Sequence, residues 1–159
     1  SQKGEGTTFT IYMPASDKEI IEEKEVSVET LKGTETVLLV DDEDRIVDIG
    51  EKTLKYMGYK VLIARNGKEA VESYKKNPAG IDIVILDMIM PEMGGGEVFD
   101  RMKEINPNIK VLLSTGYSID GQAKEILARG CLGFMQKPFN LKDLSQKLRE
   151  ILDLDRSLI

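Results

Sequence analysis

At 159 residues the chain has the length of one compact domain with a short additional segment. Its 41% hydrophobic and 31% charged residues exclude a disordered or fibrous protein. With 28 acidic against 22 basic residues the net charge is −6, which excludes the basic footprint of direct nucleic-acid binding.

The chain opens with SQKGEGTTFTIYMPAS, in which Phe9, Ile11 and Met13 alternate with Thr8, Thr10 and Tyr12 up to Pro14. That alternation predicts one half-buried strand, and an isolated strand orders only by docking. Phe9, Ile11 and Met13 are therefore expected to lie against the following domain or a second copy. Residues 17–34 read as a solvated acidic linker, with Asp17, Glu19, Glu22, Glu23, Glu25 and Glu29 and few apolar positions.

From residue 35 apolar runs alternate with amphipathic stretches. Strands are expected at Thr36–Val40, Lys60–Ala64, Ile81–Leu86, Ile109–Ser114 and Cys131–Gln136, the third (IDIVIL) apolar enough to be buried on both faces. Helices are expected at Asp44–Met57, Lys68–Lys76, Gly95–Ile105, Ser118–Arg129 and Asn140–Asp153. In the first, Ile46, Ile49, Leu54 and Met57 are expected on one buried face, while Asn140 caps the last. Gly58, Gly80 and Gly130 stand where helices stop. Strict β-α alternation implies a doubly wound α/β fold with five parallel strands and helices on both faces.

In such a sheet ligands bind beyond the carboxyl ends of the strands. Asp41-Asp42-Glu43-Asp44 follow the first strand, Asp87 the third, Ser114-Thr115-Gly116 the fourth and Lys137-Pro138 the fifth. Three carboxylates, a hydroxyl and an ammonium are thus expected at one rim. Singly, each has an ordinary reading: helix-dipole complement, turn residue, helix start, solvated charge. Together, Asp41 and Asp42 beside Asp87 are costly unless a cation or proton intervenes, and hard oxygen ligands suit Mg²⁺. A carboxylate nucleophile, a divalent ion, a lysine and a hydroxyl are what a phosphoryl acceptor requires.

VLLVDDE at 37–43, ILDMIMPEMGG at 85–95, LLSTGYS at 112–118 and FMQKPF at 134–139 resemble, in order and spacing, the receiver domain of two-component signalling proteins. The resemblance implies a flavodoxin-like (βα)5 fold over 35–156 with strand order 2-1-3-4-5. It implies Asp87 as phospho-acceptor, with Thr115 and Lys137 contacting phosphoryl oxygens. It also implies a Mg²⁺ site of Asp42, Asp87 and the backbone carbonyl of Ile89, with Asp41 acting through water, and a conformational switch at Thr115 and Phe134. Lys137-Pro138 is expected to be cis, and the run Gly94–Gly96 to loosen the loop after the acceptor. Ile89 and Tyr117 occupy the positions from which family members orient attacking water, so a long-lived phosphoryl group is expected.

GEGTTFTIYMP is similar to the last glycine box and following strand of the ATP-binding domain of histidine kinases. This resemblance implies that residues 1–16 are a kinase remnant and the whole a piece of a hybrid sensor histidine kinase. The sequence contains no histidine, so a phosphohistidine donor lies on a kinase or phosphotransfer partner. The alternative is a stand-alone receiver acting as a protein-interaction switch. A haloacid-dehalogenase-like hydrolase needs a second Asp where Ile89 stands, and the acidic run after the first strand disfavours a flavin phosphate. The lone Cys131 excludes an internal disulfide and a multi-cysteine zinc site and suits a reducing compartment. With no apolar run of the ~18 residues that span a bilayer, a cytoplasmic location is expected for this piece, without membrane contact of its own. A membrane anchor on the parent chain fits that reading.

Overall fold

The computed structural model describes residues 4, 6–12, 30–116 and 121–154. Five strands, β1 (Thr36–Val40), β2 (Lys60–Ala64), β3 (Ile83–Asp87), β4 (Val111–Thr115) and β5 (Gly133–Gln136), form one parallel sheet in the order β2-β1-β3-β4-β5. They alternate with α1 (Asp44–Tyr56), α2 (Gly67–Lys76), α3 (Gly95–Ile105), α4 (Gly121–Ala128) and α5 (Leu141–Leu152). The expected flavodoxin-like fold is therefore the observed one.

Strand alternation divides the core into two layers. Leu39, Ile85, Leu112 and Met135 point to one face and pack with Leu54, Leu144 and Leu148 of α1 and α5. Leu38, Val84, Leu86 and Leu113 point to the other and pack with Ala70, Phe99 and Ile126 of α2, α3 and α4. β3 is buried at all five positions, as its unbroken apolar run requires.

β1, β2 and α3 match their expected spans, whereas β3, β4 and β5 each begin two residues late. The cause is visible at β4: Ile109 donates its N–H to the carbonyl of Asn106 and so closes a turn. Asn66 and Asn140 cap α2 and α5, accepting from the N–H groups of Glu69 and Asp143 at 2.9 Å. Gly58 and Gly130 adopt positive φ after α1 and α4. Gly80 ends only a short 3-10 turn, Pro78–Gly80, since α2 has already stopped at Lys76.

Two expectations about apolar faces are corrected. In α1 the core stripe runs through Val47, Leu54 and Met57, and Ile49 is 65% exposed. Helical spacing places Ile46, Ile49 and Tyr56 on a second stripe one residue off the first. In the N-terminal segment residues 7–12 form no strand, and Phe9 and Ile11 are 84% and 77% exposed, not docked on the domain. Alternation alone supplies no partner for the backbone groups of a strand. Met13 and the linker to residue 29 lie outside the described residues. Among the described residues no helix is long and apolar enough to cross a membrane.

Candidate functional site

Asp41 and Lys137 immediately follow β1 and β5, and Asp87 ends β3. By alternation all three share the face of Leu39, Ile85 and Met135, so parallel register brings them together at the carboxyl edge of the sheet. Lys137 Nζ donates to Asp41 Oδ2 at 2.6 Å and to Asp87 Oδ1 at 2.7 Å. The remaining oxygens are also engaged: the Ile89 N–H donates to Asp87 Oδ2 and the Glu43 N–H to Asp41 Oδ1, each at 3.0 Å. The Lys137–Pro138 peptide is cis, as expected, and the Lys137 N–H donates to the Thr115 carbonyl at 2.7 Å.

Two buried carboxylates sharing one ammonium leave a net negative charge. Burial, and secondarily the neighbouring Asp41, push the Asp87 carboxyl above its ordinary value although Lys137 opposes the shift. Burial alone would lower Lys137, but its bonds to Asp41 and Asp87 outweigh that and raise it. Lys137 thus stays charged while Asp87 is held at a disadvantage as an anion. That imbalance is typical of functional sites and favours an added cation.

The other expected site residues stand differently. Asp42, in the bend beyond β1, is exposed, and among the described residues no three acidic, histidine or cysteine side chains cluster as a ready cation site. Of the three expected carboxylates, Asp41 and Asp87 are the two that Lys137 joins. Thr115 is buried and by alternation shares the opposite face with Leu113 and half-buried Phe134, whose strands are paired there. Ile89 turns its side chain outward, 53% exposed, while its N–H serves Asp87. Tyr117 lies outside the described residues.

The loop after Asp87 also departs from expectation. A Cβ on Gly95 would lie 2.5 Å from the Asp87 carbonyl oxygen, and Gly96 packs near Arg129 and Ile126. Gly95 lets α3 approach the end of β3 closely, and Gly96 faces α4 and the residue after it, so the run does not simply loosen the loop. The glycine run was the sequence signal for this contact, although it does not say which member is needed.

A family model described as the response regulator receiver domain matches residues 37–149. The chain belongs to that family. The receiver is 37% identical over 162 residues to the sensor kinase CckA of Brucella abortus, an alignment covering 96% of this chain but 17% of that protein. Among solved structures it is similar to a response regulator receiver domain protein of Clostridium thermocellum, with TM-score 0.74 and 28% identity over 79% of this chain and 99% of that one. It is also similar to a chain in the CheX–CheY complex with BeF3 and magnesium from Borrelia burgdorferi, with TM-score 0.71 and 29% identity over 74% of this chain and 88% of that one.

Proposed function

We propose that this receiver accepts a phosphoryl group from a partner's phosphohistidine onto Asp87, and that it does so as part of a hybrid sensor histidine kinase. The observation that carries the reading is the single ammonium of Lys137 held between Asp41 and Asp87 at the ligand-binding edge of the sheet. An Asp87 oxygen attacks phosphorus, the P–N bond to the donor imidazole breaks, and its electron pair stays on the departing nitrogen. The product is an acyl phosphate on Asp87. Lys137 balances charge on the phosphoryl oxygens, and the Thr115 hydroxyl supplies a hydrogen bond once its loop draws inward, with Phe134 following that movement.

The donor set fits Mg²⁺: it is all oxygen, it is electronegative, and one lysine does not neutralise it. Asp41, Asp42, Asp87 and the Ile89 carbonyl would hold the ion, which when bound offsets negative charge on the phosphoryl oxygens.

Similarity to a sensor kinase across nearly the whole chain supports reading residues 1–16 as an ATP-binding-domain remnant, 17–34 as a linker and 35–156 as the receiver. It favours the hybrid kinase over a stand-alone receiver, as does the exposure of Phe9 and Ile11. Partners are then a phosphohistidine-bearing kinase core or phosphotransfer domain, without nucleic acid, in the cytoplasm. Rapid-quench transfer from a radiolabelled phosphohistidine protein tests the reading. Label is expected to move to the wild type with Mg²⁺ and not to Asp87→Asn; equal transfer to both would overturn it.

A further inference from the structure

Between α1 and α5 lies a cavity of about 760 Å³, within the range of small-molecule sites. Its floor is Leu39 and Ile85, its walls are Leu54 and Leu144, and Ile49 and Tyr56 of the second α1 stripe flank it. Its inner end reaches Asp41, Ser114 and Lys137.

Two features separate this cavity from loose packing. Gly50 stands in the middle of α1, where a glycine costs about 1 kcal/mol relative to alanine. A Cβ there would come 2.9 Å from Leu39 Cδ2, so a side chain at this position would crowd the floor. Ser114 is only 3% exposed, lines the cavity, and its Oγ has no hydrogen-bond partner among the described residues. Alternation puts it on the face of Leu112, directly beside Asp87 in the β3–β4 register and above an apolar layer of the sheet. A buried hydroxyl left unpaired costs about 1–3 kcal/mol, so its position calls for a partner inside the cavity.

The charge at the inner end selects among ligands. Asp41 and Asp87 outnumber Lys137, so an anionic head group is repelled there. The hydroxyl of Ser114 can donate or accept and suits an uncharged head.

We propose that the α1–α5 cavity binds a small, flat apolar molecule whose single uncharged polar group pairs with Ser114 Oγ. The cavity meets the phosphoryl-acceptor site at its inner end, where Asp41 and Lys137 line it, but its readout requires no phosphorylation, so either reading can fail alone.

The probe for the test is N-phenylnaphthylamine, an uncharged aromatic amine with one N–H that fluoresces on leaving water. Added to the whole chain, it is expected to bind saturably at one site. Ser114→Ala removes an unpaired polar atom without disturbing the fold and is expected to weaken binding about fivefold, the loss of one net hydrogen bond. Gly50→Leu narrows the cavity and should weaken binding at least tenfold; Thr53→Leu, on the same lining, serves if that variant fails to fold. The sulfonated, anionic analogue should bind at least tenfold more weakly, and Phe9→Ser should change nothing. Unsaturable binding would overturn the proposal. So would affinity indifferent to both Ser114→Ala and Thr53→Leu, or binding that disappears with Phe9→Ser.

Discussion

The two ends of the sheet each carry an ion cluster, and they are organised in opposite ways. At the carboxyl edge Asp41 and Asp87 compete for Lys137. At the amino edge Glu35, just before β1, meets Arg149 of α5 at 2.8 Å, with Asp153 farther off at 3.8 Å and partly in solvent. Arg149 also lies 5.6 Å from the centre of the Tyr59 ring. Burial would raise Glu35, but its bonds to Arg149 and to backbone N–H groups outweigh that and hold its carboxyl below the ordinary value. Asp87 is held above it. The same charge types thus yield a satisfied carboxylate at the shallower end and a frustrated one at the more deeply buried end. Burial and stoichiometry both differ: Asp87 is the more deeply buried, and one close carboxylate per cation closes the amino edge while two per cation leave the carboxyl edge open to another positive charge or to a reacting group.

The largest effect is expected from removing the shared cation. Lys137→Met leaves two buried carboxylates without a counter-charge and should cost about 3 kcal/mol in chelator, measured by urea unfolding. Mg²⁺ should restore a large part of that loss in the variant. A variant as stable as wild type in chelator would mean that the rim is better solvated than its burial indicates.

Removing the frustrated carboxylate should act in the reverse direction. Asp87→Asn relieves the competition for Lys137 and is expected to stabilise the metal-free chain at neutral pH by about 1 kcal/mol, or roughly 2–4 °C in Tm. The sign follows from linkage. Native Asp87 has a raised pKa, so wild-type stability falls as pH rises from the ordinary Asp value through the native one, and the penalty is constant above it. The advantage of Asn is therefore full at neutral pH and fades on acidification. Thermal melts across that range decide the point, and an Asn variant less stable at neutral pH would reverse the assignment.

At the amino edge Glu35→Gln is expected to cost about 1 kcal/mol. Native Glu35 has a lowered pKa, so its contribution is present above the ordinary Glu value and is lost as pH falls through the native one. The acid limb of the stability profile should flatten in this variant. The smallest effect concerns Ile89, whose exposed side chain offers no hydrogen bond to a water approaching Asp87. Ile89→Asn should shorten the life of the phosphorylated state severalfold, followed as loss of bound phosphoryl in excess Mg²⁺.

The elements that carry the rim were legible in the sequence because both signals are local. Apolar runs of strand length lead directly into Asp41, Asp87 and Lys137, and parallel pairing then fixes which of these share a face. The buried face of α1 was misread at Ile49 because two apolar stripes lie one residue apart, and only packing shows that Val47 belongs to the core. The Glu35–Arg149 pair links residues far apart in the chain, and the unpaired Ser114 hydroxyl depends on which helix fails to cover it. Neither leaves a mark on periodicity. The exposure of Phe9 and Ile11 was likewise beyond a pattern that records alternation but not the sheet needed to satisfy it.

The central claim is that the frustrated carboxylate at the carboxyl edge is the reacting one. Incubation of the whole chain with acetyl phosphate and Mg²⁺, followed by intact-mass analysis and peptide mapping, tests it most directly. The account predicts the gain of one phosphoryl group, mapped to Asp87, abolished by chelator and by Asp87→Asn and retained in Glu35→Gln. Labelling that persists in Asp87→Asn, or that maps to Asp41 or Asp42 in the wild type, would contradict it.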